Sequence, residues 1–500
     1  MPQPPRVPAQ TAAPARVYRT GPALALLAIT QFILILDAAI VGVALPSIAT
    51  DLSFTQSELS WVTNGYTLLF GGFLLLGGRL ADLLGRRRLF VAGILLFTIA
   101  SGAAAFAPSP AWLVVFRGLQ GLTAAVVSPA ALSLLLVVFP DGTDEEKAAR
   151  NKALGVWGAV AGAGGAVGYI LGGVLTDLLG WESVFYVNVP VGLVAAILAF
   201  RLLPVARAER RGSFDLFGAF AVTAGLILLV YVLVNAGETS WTSAQTLRLG
   251  ALSLVLLLAF VLIEAKTRQP LVPLSIFRRP ALRGANLVSL LLPGAFMPTF
   301  FFLALYTQLV LGFSPLVSGL ALLPIAVLIV VSAMSAGKVL AKVSLRAGAA
   351  IGLIGVTLGL LWLSRVSGGN YFLQVLGPEI LVGLGGGLAF VSITVAGTSS
   401  VSPEESGLAS GLLNTSQQVG GALGLAVLAT LAGTATADKV AAGADAATAL
   451  THGYGLALLV AAGIALVTIP LAWLLLPGPF SPPAAVPTAD ESLESIPAGA

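Results

Sequence analysis

Two ionisable side chains stand inside apolar stretches where ionisation is costly: Asp37 within TQFILILDAAIVGVALP and Arg117 within AWLVVFRGLQGL. A charge at the centre of a membrane-spanning helix costs about 2.5 to 3.5 kcal/mol on insertion scales, so such a residue is a functional candidate by default. Two chemistries suit an acid and a guanidinium placed together. One is a structural ion pair; the other is a proton switch, in which protonation of Asp37 breaks the pair and permits a conformational step. Glu379, in GPEILVGLGGG, is a second acid near a helix mouth. If Pro378 begins the helix, Glu379 is a solvated rim residue; if the helix begins earlier, it is a proton carrier or a cation contact.

Other chemistries find no residues to carry them. Cysteine is absent, which removes disulfides and thiolate metal sites. No cluster of metal ligands, no nucleophile with a base and no pair of catalytic carboxylates can be assembled on one side of a membrane, so no enzyme and no metal site are expected. GxxxxGK[ST] does not occur, so an ATP-driven engine is missing. The sole histidine, His452, is placed at the start of the last helix and is read as inert.

The elements that must position these residues follow from composition. Hydrophobic residues make up 57% of the 500, charged residues only 10%, and the mean hydropathy is +0.97, far from the roughly 25% charged content of soluble domains. Apolar runs interrupted by charge, proline or polar clusters define fourteen spans: 22–46, 60–79, 88–107, 111–139, 152–177, 182–203, 214–234, 247–264, 283–311, 316–337, 346–364, 371–399, 406–432 and 452–476. Each is near or above the roughly 20 residues a helix needs to cross hydrocarbon. Strict alternation is absent, which excludes a membrane barrel, and the first run lacks the pattern of a cleaved signal peptide. An all-α integral membrane protein is the expected fold class.

Loop charge orients the chain. With the N-terminus inside, 22 of the 26 lysines and arginines fall in cytoplasmic segments, so both termini are expected in the cytoplasm. The net charge of +4 then reports a basic inner face meeting anionic lipid rather than an affinity for nucleic acid. Residues 1–20 and 477–500 lack apolar periodicity and read as disordered tails. Between them lie a six-helix unit (21–205), an inserted helix pair (206–268) and a second six-helix unit (269–476). AGKVLAKVSLR, at 336–346 after the tenth span, echoes GGRLADLLGRRR, at 77–88 after the second, as a two-fold repeat would require. In this topology Asp37 stands about 9 Å below the outer edge of a ~30 Å core, and so does Arg117.

Four motifs carry a resemblance. GRLADLLGRRR (78–88), on the loop joining the second and third helices, resembles the signature of the major facilitator superfamily. LDAAIVGVALPSIATDL (36–52), VVFRGLQGLTAA (114–125) and GLASGLLNTSQQVGGALG (407–424) are similar to motifs of its fourteen-helix drug:proton antiporter branch, the QacA/EmrB-like multidrug exporters. The resemblance covers about 20–480. Two positions depart from it: Tyr169, in GYILGG, stands where proline is usual, and Gly42 replaces an asparagine.

The resemblance implies a 6 + 2 + 6 major facilitator fold with two pseudo-symmetric bundles. It also implies a conformational latch built from Gly78, Asp82, Gly85 and Arg86, in which Asp82 and Arg86 stand in the favourable acid-before-base order. Gly77 and Gly78 let helix ends approach, while Arg87 and Arg88 read as positive-inside anchors. In the fifth helix, Gly164, Gly168 and Gly172, with Gly173, have the small-xxx-small spacing of close packing; the family reading makes this face a control of exchange direction.

A greasy cavity with convergent polar groups is expected from Gln31, Asn64, Tyr66, Gln120, Trp157, Phe296, Phe300, Tyr306, Asn414 and Gln418. Each is alternatively interhelical glue. The function expected is proton-coupled efflux of lipophilic or cationic drugs and antibiotics across a bacterial plasma membrane by alternating access. The protonmotive force would be the energy source, with no cofactor, by a monomer whose partners are substrate, protons and membrane lipid. A dedicated lipid or metabolite exporter or flippase, and a non-transporting scaffold or sensor, are the alternatives.

Overall fold

The computed structural model describes residues 20–140, 142–204, 215–239, 242–267, 270–367, 369–399, 401 and 405–478; the expected tails lie almost entirely outside these residues. Among the described residues, fourteen helices are long and apolar enough to cross a membrane. They are α1 (Thr20–Asp51), α2 (Gln56–Leu84), α3 (Arg86–Ala105), α4 (Pro110–Val138), α5 (Asp144–Leu179), α6 (Ser183–Leu202), α7 (Leu216–Thr239), α8 (Ala244–Lys266), α9 (Pro280–Leu309), α10 (Pro315–Leu340), α11 (Leu345–Leu363), α12 (Phe372–Thr398), α13 (Ser406–Ala441) and α14 (Ala446–Leu475). The chain is a multi-pass membrane protein. An even number of crossings brings both ends of the described chain to one face, the terminal face; the opposite one is the far face.

The count matches the hydropathy reading, but several ends do not, because capping rather than hydropathy sets them. α5 starts at Asp144 instead of 152: Thr143 accepts from Glu146 N, and the Glu146 carboxylate accepts from Thr143 N at 2.9 Å, a reciprocal box that holds a polar first turn in helix. α14 starts at Ala446 instead of 452, capped by Asp445, which accepts from Thr448 N and from the Thr448 hydroxyl. These bonds hold the Asp445 carboxyl below the usual carboxylate range. His452 therefore lies within the helix, not at its start. α13 runs to Ala441, past the expected 432.

GGRLADLLGRRR is not a loop. α2 continues to Leu84, α3 begins at Arg86, and Gly85 alone turns the chain, at φ 98°, where a side chain would be strained. AGKVLAKVSLR is likewise helical as far as Leu340.

Six helices, a pair and six more pack as the fold class requires. α7 lies across the seam between α2 and α13, with Leu226 and Val230 against Leu68, Ala422 and Ala426. α8 packs on α7, where the Ser253 hydroxyl donates to Gly225 O at 2.7 Å. Its Leu254, Val255, Leu258 and Leu262 are exposed, an apolar face suited to lipid. The two six-helix units meet at the far ends of α1, α5, α9 and α10. Gln308 of α9 donates to Val43 O of α1 at 2.9 Å, and Gly173 of α5 closes on the Pro315 backbone of α10. α2 and α13 join nearer mid-membrane, where a Cβ on Gly71 would stand 2.7 Å from Gln418 Cβ.

Candidate functional site

Asp37 and Arg117 meet. Arg117 Nη1 donates to Asp37 Oδ2 at 2.6 Å, and the two side chains are 2% and 0% exposed. Small residues create the approach. A Cβ on Gly121 would collide with the Tyr66 backbone, and Gly65 faces Val114 O, so α2 and α4 lie close enough for Arg117 Nε to donate to Val62 O at 3.0 Å. The guanidinium lies 4.6 Å from the Tyr66 ring centroid, within cation–π range.

Three uncharged residues complete the network. Gln120 Nε2 donates to Asp37 Oδ1 at 3.1 Å and Asn188 Nδ2 donates to the same oxygen at 2.6 Å. Both amides also donate to Ser101 Oγ, which donates in turn to Phe185 O. Side chains from α1, α3, α4 and α6 thus converge, with α2 supplying a carbonyl and a ring. Gln120 was read from the sequence as a cavity residue; Asn188 and Ser101 were missed.

The chemistry follows from donor counting. Every group aimed at Asp37 is a donor, so the arrangement fits an ionised carboxylate. A proton on Asp37 would place a donor among donors. Asn188 Oδ1 is buried and has no partner, and a turn of that amide would offer it to a protonated carboxyl. Burying two charges is compensated only while each is paired and hydrogen-bonded, so protonating one leaves the other to be rehoused.

Glu379 is not a rim residue. α12 begins ahead of Pro378 with a π-helical turn over Phe372–Leu376, which carries Glu379 inside the helix at 0% exposure. Its Oε2 accepts from the Tyr371 hydroxyl at 3.5 Å, while Oε1 is buried without a partner. The single Tyr371 proton is shared with Ala321 O, which lies nearer at 2.7 Å. Asp37 and Glu379 therefore occupy different six-helix units.

The motif residues divide. Gly77, not Gly78, makes the close approach: a Cβ there would strike the Ala125 carbonyl, whereas one on Gly78 would touch only Pro129 Cβ at 3.7 Å. The Asp82 side chain, the acid of the expected latch, lies outside the described residues. Arg87, read as a charge anchor, also donates to Phe200 O and Leu203 O, tying α3 to the end of α6. In α5, Gly164, Gly168 and Gly172 face Ile35, Ala39 and Ile40 of α1, while Gly173 faces α10.

The expected cavity residues are distributed over several packing environments. Tyr66 and Gln120 belong to the charge network. Phe296 and Tyr306 are each 2% exposed, filled in by neighbouring helices, and Phe300 stacks on Tyr169. Gln31 accepts from Ser128 across α1 and α4, and Trp157 packs against the core of the first unit. Asn64 is buried with both polar atoms unpaired, Asn414 is exposed and Gln418 packs on Gly71. A cavity of about 650 Å³ opens at the far ends of α11 and α14, lined by Ser364, Ser367, Thr448, Thr451 and His452.

Among the described residues, two six-helix units and a further helix pair around buried, paired charge form the architecture of a membrane transporter. A sequence model of the Major Facilitator Superfamily matches residues 27–425, and the chain belongs to that family, whose members are transporters rather than enzymes. It is 41% identical to the cephamycin export protein CmcT of Amycolatopsis lactamdurans over 84% of this chain and 86% of that one. To the puromycin resistance protein pur8 of Streptomyces alboniger it is 39% identical over 89% of each. Among solved structures, a bacterial homologue of the human lysosomal transporter Spinster, inward-facing and occupied, has a TM-score of 0.66 at 14% identity, covering 92% of this chain and 97% of that one. The last likeness concerns the fold.

Proposed function

We propose that this protein exports lipophilic or cationic drugs or antibiotics in exchange for protons, by alternating access between units spanning 21–205 and 269–476, with the 206–268 pair inserted between them. Both termini lie in the cytoplasm and the monomer is the working unit. The observation that carries the proton coupling is Asp37, sealed from solvent and held by donors from α4 and α6. A proton arriving there removes the reason for those helices to stay together. Export rather than uptake is supported by relatives named for cephamycin export and puromycin resistance.

Energy is sufficient. For a neutral substrate, one proton moved down about 100 mV supplies ~2.3 kcal/mol, a concentration ratio of roughly fifty; for a monovalent cation exchanged one for one the potential cancels and the pH difference supplies the drive. Glu379 is a second proton-carrying group, and Gly78, Asp82, Gly85 and Arg86 bias the access equilibrium. A second reading, a dedicated exporter of one secondary metabolite, is favoured by the cephamycin relative.

The test is pH-gradient-driven accumulation in inverted vesicles of ethidium-like cations, β-lactams and aminonucleosides, with Asp37→Asn as the control. Gradient-dependent accumulation of several chemical classes supports the multidrug reading, and of one class the dedicated reading. No gradient-dependent uptake of any compound overturns both.

A further inference from the structure

The inserted helix pair carries acids of its own. Asp215 immediately precedes α7, and Glu264 lies two residues before Lys266, the last residue of α8, so both stand at the terminal face, within about 3 Å of helix rise from those ends. They are 5% and 3% exposed. Asp215 Oδ1 caps α7 by accepting from Gly218 N at 2.7 Å, and Glu264 Oε2 accepts from Val272 N at 3.0 Å. The remaining oxygens, Asp215 Oδ2 and Glu264 Oε1, are buried without a partner. They face each other. A Cβ on Gly218 would stand 2.5 Å from Asp215 Oδ2 and 2.9 Å from Glu264 Oε1, so both oxygens border the space that a methyl group would fill.

Two facing acceptors need something between them. Ionised carboxylates only accept hydrogen bonds, and two buried like charges side by side cannot both ionise without a large cost, so such a pair holds one proton. The charged residues at this end of the elements packed here are Arg79 of α2, Lys266 of α8, Arg278 and Arg279 ahead of α9, Arg283 of α9 and Glu405 ahead of α13. Among the described residues none forms an ion pair with Asp215 or Glu264, and Arg279 pairs with Glu405 instead. Asp215 sits at a helix N-terminus, which favours its ionised form; Glu264, with no such support, is the partner that keeps the proton. A calcium ion, which takes roughly six to eight oxygen ligands, would find two free carboxylate oxygens here.

We propose that Asp215 and Glu264 form a proton-binding site in the inserted pair, with one proton on Glu264 Oε1 donated to Asp215 Oδ2. The consequence runs through Val272. With Ile276 it packs against Leu282 of α9 and Ala409 and Leu412 of α13, so Glu264 anchors the segment that joins the inserted pair to the second six-helix unit. Loss of the proton leaves two facing anions; Glu264 then turns to water and releases Val272. The site stands apart from Asp37 and Glu379, which belong to the six-helix units, and does not depend on exchange at either.

The test is hydrogen exchange of the peptide carrying residues 270–279, in full-length protein in detergent, with rates divided by the intrinsic amide rate at each pH. In the open state Glu264 meets water and releases its proton above about pH 4 to 5, while the closed pair still holds it. Opening should therefore grow as pH rises, by up to about tenfold per pH unit, until the closed pair also deprotonates. Glu264→Gln keeps a donor facing Asp215 and should flatten this dependence. Asp215→Asn gives the Glu264 carboxylate a donor and should flatten it too, which keeps the test available if either variant does not fold. Opening independent of pH in the wild-type protein overturns the site, as does an unchanged dependence in both variants. Protection restored at high pH by added calcium in the wild-type protein alone would make the ligand a metal cation and overturn the proton.

Discussion

Asn188 donates to Asp37 Oδ1 at 2.6 Å from a helix whose one charge, Arg201, lies in its last turn, and its remaining oxygen has no partner. That pairing makes α6 part of the coupling apparatus. Loss of a hydrogen bond to a charged group costs about 1.5 to 3 kcal/mol, so Asn188→Ala should slow gradient-driven uptake by at least about tenfold while Ser101→Ala, one bond removed from the carboxylate, slows it less. Initial rates in inverted vesicles check this; equal rates for the two variants would return Asn188 to a packing role.

The ion pair itself is testable by stability. Arg117→Leu leaves an uncompensated buried carboxylate and should destabilise the protein by about 3 to 5 kcal/mol, whereas Arg117→Leu with Asp37→Leu should recover most of that loss. Thermal unfolding in detergent reads both. A double variant as unstable as the single one would mean the two residues do not act as a pair.

The glycine ladder predicts a contrast within one helix. Gly168 stands where a Cβ would be 2.7 Å from Ala39 Cβ, while Gly165 has nothing within 4 Å. Gly168→Val should cost about 1 to 3 kcal/mol through overpacking, and Gly165→Ala should be neutral. Melting temperatures of the two purified variants decide the matter, and equal losses would detach the ladder from α1 packing.

A similar contrast separates the glycines of the α2–α3 junction. Gly85 at φ 98° tolerates a side chain only at a cost of about 1 to 3 kcal/mol, whereas Gly78→Ala meets only an ordinary contact. Expression level and unfolding of Gly85→Ala and Gly78→Ala report this directly; an unaffected Gly85→Ala would contradict the turn geometry.

The legible parts of the sequence are those where one residue contradicts its surroundings. Asp37 and Arg117 stood out because charge is rare in apolar spans, and the rise of a helix turns residue number into depth, which put them together. Asn188 and Ser101 lie at the same level, but uncharged polar residues are ordinary interhelical glue, so nothing in their type separates them from Asn64 or Gln31. Helix rotation was not legible: spacing identified a glycine pair at 77 and 78, but only packing shows that Gly77 takes the approach. Nor was the π turn over Phe372–Leu376, although the apolar run from 371 already began ahead of Pro378. Tyr169 was visible as a departure from a motif, and the ring it stacks on, Phe300, is distant in sequence.

The central claim is that the proton exchanged for substrate is carried by Asp37, and proton release on substrate addition tests it most directly. Purified protein in weakly buffered detergent, titrated with a transported cation or antibiotic, should release protons in proportion to the protein present. Asp37→Asn, folded by the same unfolding assay, should lose all or most of that release. Undiminished release from Asp37→Asn would contradict the account.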